Sequence, residues 1–123
     1  MRIAISAKGN LLDSLLDSRF GRCDFFQIHD SNTGDFEVLE NEGLMAGGGA
    51  GIAAAQQLID EEVDVIVTGN LGPNAFEILE KAEIESFNCE EISISSVLEN
   101  FNKGNLKKIN KAGSSHSGIN KNQ

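Results

Sequence analysis

Apolar and polar positions change period several times along the 123-residue chain. Residues 2–7, RIAISA, form a short, mostly apolar run that predicts a first strand. Residues 8–24 carry no period. DFFQIHD (24–30) and DFEVLEN (35–41) are β-rich, and Ser31-Asn32-Thr33-Gly34 between them predicts a hairpin. Residues 42–51 form a loop with glycines at 43, 47, 48, 49 and 51. From Ile52 the spacing of Ile52, Ala55, Leu58 and Ile59 predicts an amphipathic helix closed by Glu61 and Glu62. VDVIVTG (63–69) is a continuous β-branched run, the pattern of a strand covered on both faces. Pro73 suits the first turn of a second helix, with Phe76, Leu79 and Ala82 on its inner face. Ile84 to Phe87 predicts a last strand. Ser93 can cap a third helix that buries Ile94, Val97, Leu98 and Phe101 and stops at Gly104. The order β-β-β-α-β-α-β-α implies an α/β domain with a five-stranded mixed sheet: an antiparallel hairpin on one side, parallel strands on the other.

Charge sharpens this picture. Residues 1–102 hold all nineteen acids but only Arg2, Lys8, Arg19, Arg22 and Lys81, a balance of −14. Such a body repels a phosphate backbone, which excludes nucleic acid as a partner. Four of those five bases fall in the first 22 residues, so an anion held by the body should be drawn there. The end of the chain reverses the sign: Lys103, Lys107, Lys108, Lys111 and Lys121 stand without an acid. From Gly113 onward Ser, Gly, Asn and Lys predominate, the composition of a disordered end. No apolar run approaches the roughly 18 residues of a membrane span, and MRIAIS lacks the pattern of a secretory signal. Two cysteines without a CxxC pair make no disulfide framework and point to a reduced, cytoplasmic setting.

Chemistry concentrates in two places. In Arg19-Phe20-Gly21-Arg22-Cys23 two guanidiniums flank a glycine, and a thiol follows the second. Either the arginines pair with neighbouring carboxylates in a surface turn, or they form an anion site with a soft ligand. In the second case Arg22 would lower the thiol pKa, and thiolate suits iron, copper or zinc. Gly49-Ala50-Gly51-Ile52-Ala53-Ala54 matches a dinucleotide fingerprint, but the preceding strand ends near Asn41, too far upstream for a tight strand-turn-helix. No Gly-Lys-Ser/Thr supports a P-loop. The loop still feeds a helix start, where free N–H groups attract anions. Cys89 suits a partly buried packing position and His29 a strand position beside Phe25 and Gln27; His116 stands alone in the tail. No nucleophile–base or metal–carboxylate set suggests an enzyme.

Together, MRIAIS, SRFGRC with the following DFF, GGGAGIAAAQ, VDVIVTG, NLGPNAFEILEKAEI and LENFNKGNL resemble the dinitrogenase iron-molybdenum cofactor biosynthesis family. That family includes NifX-type cofactor carriers, the C-terminal part of larger cluster-assembly proteins, and orange-protein-like relatives. The resemblance covers residues 1–108 as one domain and leaves 109–123 as a basic tail. It implies a ribonuclease H-like three-layer fold without nuclease activity, since the first strand carries no carboxylate. It also implies binding of iron-molybdenum cofactor, its precursor, or a related molybdenum/iron–sulfur cluster, by a non-enzymatic carrier or scaffold related to nitrogen fixation. The expected contacts are Arg19, Phe20, Gly21, Arg22, Gly47, Gly48, Gly49, Gly51, Asn70, Gly72 and Asn74, with Cys23 a metal ligand and loop 42–51 closing over the cluster. Cluster-assembly proteins or an iron–sulfur ATPase are the implied protein partners of a monomer. In the alternative reading the chain is an interaction or regulatory module for such an ATPase and holds no cluster.

Overall fold

A computed structural model describes residues 1–111. One mixed sheet carries six strands: β1 (Arg2–Ala7), β2 (Phe25–Asp30), β3 (Phe36–Glu40), β4 (Val65–Thr68), β5 (Glu85–Asn88) and β6 (Lys107–Lys108). Their spatial order is β3-β2-β1-β4-β5-β6. β1 sits between the antiparallel hairpin and the parallel pair, with Ile5 opposite Gln27 on one side and Val67 on the other. Buried on both faces, β1 and β4 are the apolar runs visible in the chain.

Three helices cover the sheet: α1 (Ala50–Asp60), α2 (Pro73–Lys81) and α3 (Ile94–Asn102). Alternation along the strands decides which helix each residue meets. Ala4, Phe26, Ile28 and Ile66 pack on Ala54, Ala55 and Leu58 of α1 and on Ala75 and Leu79 of α2. Ile3, Ile5, Val65 and Val67 face the other way and pack on Ile94 and Val97 of α3. The result is the expected three-layer α/β arrangement. Burying Leu58 contributes about 1.5–3 kcal/mol, and Leu58→Ala would cost more because a cavity remains.

Four details differ from the sequence reading. The sheet has six strands, not five, because Lys107–Lys108 pairs antiparallel with β5. Ile109 N donates to Ser86 O at 2.8 Å and Lys108 Nζ meets Glu85 at 3.0 Å, contacts that a polar Lys-Lys pair does not announce. Ile109, one residue past the boundary drawn at 108, also packs against the core. α1 begins at Ala50, and Ile52 lies exposed, while Ala54 and Gln57 take inner positions. Ala82 at the end of α2 is likewise exposed. The expected disorder from Gly113, and His116, lie outside the described residues. Among the described residues no helix is long and apolar enough to cross a membrane.

Candidate functional site

A helix leaves its first N–H groups without intrahelical partners. α1 starts after Gly49, which takes a left-handed backbone (φ 70°, ψ 34°) and has no side chain to cap the end. Ala53 N donates to Gly49 O at 3.0 Å, but the amides of Ala50, Gly51 and Ile52 meet no acceptor among the described residues. α2 starts after Gly72, also without a side-chain cap, and Pro73 occupies its first turn. Phe76 N donates to Gly72 O at 3.0 Å, which leaves the Asn74 and Ala75 amides open. Neither first turn carries an acid. Each end therefore presents roughly half a positive charge with free donors.

The loop after residue 18 brings side-chain cations to these ends. Arg19 bridges to Asn70 in parallel, tying the loop to the chain before α2. Phe20 is buried with its ring centroid 5.3 Å from that of Phe26, which plugs the loop into the core. Gly21 lies against the start of α1: a Cβ there would sit 2.8 Å from Gly51 N. Only glycine allows the backbones this close. Arg22 is exposed and forms no ion pair among the described residues.

These pieces enclose an open cleft of about 400 Å³. From the loop come Arg19, Phe20, Gly21 and Arg22; from the α1 start, Gly49 to Ile52; from the α2 start, Asn70 and Gly72 to Ala75. Gly47 and Gly48, expected at the site, do not line it. Ala50 and Pro73, within the expected segments, line it too, as do Ile52 and Ala75, which lie beyond them. Their apolar side chains gave no chemical signal, since most of what they offer is backbone. The other two early bases, which were not named for the site, pair elsewhere. Arg2 pairs with Glu61 at 3.5 Å, and Lys8 with Glu91 at 2.9 Å.

Asn41 holds the cleft together and was not foreseen. Buried at the end of the hairpin, its Nδ2 donates to Gly21 O (3.1 Å) and Cys23 O (2.9 Å), and its Oδ1 accepts from Gly43 N (2.8 Å). Gln57 of α1 adds a second clamp by donating to Glu40 O and accepting from Glu42 N. Segment 42–45 is consequently a 3₁₀ turn fastened to the body. That correction leaves Gly47 and Gly48 as the part of the loop with no such hydrogen bond among the described residues, with Met45 nearby 89% exposed. Its cap on Gly43 is local, but the bonds to Gly21 and Cys23 join positions 20 and 18 residues away and have no local signature.

Cys23 departs most from expectation. Its side chain is 0% exposed within the core cluster and does not line the cleft. Sγ donates to Phe20 O at 3.4 Å. Burial pushes the thiol up to about 12, with the negative charge of Asp17 acting in the same direction. The expected lowering by Arg22 does not occur, because the turn at 19–22 sends the thiol inward and the guanidinium outward. Burial and the charge of Glu90 raise Cys89 as well. His29 is buried, bonded to Gln27 Oε1 at 2.9 Å and stacked on Phe36, and burial lowers its pKa. Among the described residues, no three His, Cys, Asp or Glu side chains group as a metal site.

Comparison with known proteins agrees with this architecture. The dinitrogenase iron-molybdenum cofactor family matches residues 1–104, nearly the whole folded part. The chain belongs to that family. The chain is also similar to the orange protein of Desulfovibrio gigas, solved in its apo form. That structure shares 35% identity and a TM-score of 0.85, over 89% of this chain and 93% of the other. A candidate NifB protein from Thermotoga shares 30% identity and a TM-score of 0.80, over 93% and 97% of the two chains. An uncharacterized protein of Methanocaldococcus jannaschii is 28% identical over 112 residues, 89% of this chain and 92% of its own length.

Proposed function

We propose that this family member binds an anionic metal–sulfur cluster of the iron-molybdenum class as cargo, in the cleft between the α1 and α2 starts, and carries or scaffolds it without turning it over. The observation that carries the reading is the convergence of two uncapped helix N-termini and two arginines on one cleft. Their donors suit sulfide or oxide ligands on a cluster surface, and their positive potential offsets its charge. Arg22 brings a cation that no described carboxylate neutralises; Ala50 to Ile52 and Asn74 to Ala75 bring fixed amides. A cleft of about 400 Å³ can admit a compact inorganic unit. Cys23 has a packing role here, since direct ligation would require a core thiol to reach the surface and lose its proton.

Anaerobic titration with tetrathiomolybdate tests the reading. Wild-type protein binds the probe, and Arg22→Ala weakens binding by about 1.5–3 kcal/mol, the range for hydrogen bonds to charged groups. Cys23→Ala binds as wild type does, and alkylation of native Cys23 stays negligible until the pH nears the raised thiol pKa. Unchanged affinity in folded Arg22→Ala would remove the cleft as the site. Lost affinity in folded Cys23→Ala would restore the thiol as a ligand.

A further inference from the structure

Asp17 has a charged side chain only 1% exposed, held by one partner. Its Oδ1 accepts from Arg19 N (2.9 Å) and Nε (3.0 Å), and its Oδ2 accepts from Arg19 Nη2 (2.8 Å). The main chain of Asp17 is fastened to the end of β1. Asp17 N donates to Ser6 O at 2.9 Å, and Ser6 Oγ donates to Asp17 O at 2.6 Å. Ser6 Oγ in turn meets Thr68 Oγ1 of β4 at 2.7 Å, and both hydroxyls are fully buried. The carboxylate thus has a fixed position relative to the two central strands. Arg19, by contrast, has a side chain 62% exposed at the cleft.

We infer that Asp17 is a positioning residue: its two oxygens grip one edge of the Arg19 guanidinium and aim the remaining N–H groups into the cleft. This rests on the reading of the cleft as an anion site and assigns its two arginines different work. Arg19, neutralised by Asp17, supplies directed hydrogen bonds; Arg22 supplies net charge. A planar fork held along one edge is rigid in a way that an ammonium on a flexible stem is not. Burial by itself pushes the Asp17 carboxyl up, but the hydrogen bonds and charge of Arg19 outweigh it and hold the group below the ordinary carboxylate value. The pair is therefore intact at neutral pH.

Titration with tetrathiomolybdate of Arg19→Ala, Arg19→Lys, Asp17→Asn and the Asp17→Asn/Arg19→Ala double variant tests the assignment. Each single change weakens binding by about five- to tenfold, as for loss of a modest hydrogen-bonding contribution. Arg19→Lys is no better than Arg19→Ala, and the double variant matches the weaker single within about twofold, because coupled residues are not additive. Arg22→Ala flattens the salt dependence of binding, whereas Arg19→Ala leaves it nearly unchanged. Lysine that restores wild-type affinity, or losses that multiply in the double variant, would overturn the assignment. A ligand-free measurement stands apart from the cleft reading: in wild type the Arg19 Nε–H resonance exchanges slowly with water while that of Arg22 exchanges fast. Equal, fast exchange at both would show that Asp17 holds nothing, even if Asp17→Asn proved too unstable to study. Wild-type protein that fails to bind the probe defeats the cleft reading alone.

Discussion

The starts of the three helices meet the same physical problem and resolve it in two ways. At α3 the chain satisfies its own donors: Ile94 N gives to Ser14 O (2.8 Å), Ser95 N to Leu12 O (3.0 Å), and Ser96 N to the Ser93 hydroxyl (3.3 Å). At α1 and α2 a glycine stands where Ser93 stands, and the amides of both first turns open into one cleft. An N-cap hydroxyl contributes on the order of 1 kcal/mol to a helix. Glycine in that place forgoes only a few tenths of a kcal/mol, but it leaves first-turn donors without a side-chain acceptor, where an external anion can supply one. The contrast separates a helix start that serves the fold from two that serve a ligand.

The strongest way to break this contrast is to push the loop and the α1 start apart. Gly21→Ala places a methyl 2.8 Å from Gly51 N and 3.2 Å from Ala50 C, backbone atoms that cannot swing aside. Overpacking of this kind costs about 1–3 kcal/mol. Denaturant unfolding should show that loss, and tetrathiomolybdate binding should fall with it; wild-type behaviour in both would mean the close approach is unimportant. Ser93→Ala acts on the internally satisfied end. It should lower stability by about 1 kcal/mol while probe affinity stays put, and an affinity loss comparable to that of Arg22→Ala would erase the distinction. Asn74→Asp gives the α2 start the acid it lacks. Thermal denaturation should show a gain of about 0.3–1 kcal/mol from the helix dipole, while the same carboxylate repels the probe. Stability and affinity moving in the same direction would count against a ligand-facing terminus.

How far the chain could be read in advance follows the range of the forces involved. β1 and β4 were legible because strands covered on both faces must be apolar throughout, and VDVIVTG admits little else. α3 was legible from Ser93 and the 94, 97, 98, 101 spacing. The two-residue β6 was not, since its pairing depends on Glu85 and on Ile109 packing on the core, both set by the fold. Ile52 was read as an inner position from period alone. Period locates a stripe but does not say that the first turn of that stripe borders an open cleft. Within the site, Arg19, Phe20, Gly21 and Arg22 announced themselves by their chemistry, and Asn70, Gly72 and Asn74 through the resemblance. Gly47 and Gly48 came in with the glycine loop and the GGGAGIAAAQ segment of the resemblance, but the cleft reaches only as far as Gly49.

Cys23 and Asp17 mark the boundary between the two kinds of information. By itself the sequence determined five of the six strands, the three helices, the acidic body and the basic segment 19–22, because these depend on spacing, side-chain type and local turn chemistry. The three-layer class came through the family resemblance. Tertiary structure alone decided that Cys23 faces inward while Arg22 faces out, that Asp17 is buried and gripping Arg19, and that Asn41 joins segments 21–23 and 43. It also decided that the starts of α1 and α2 meet. These are matters of direction between segments far apart in the chain, and direction is settled only when the sheet fixes where each loop leaves it.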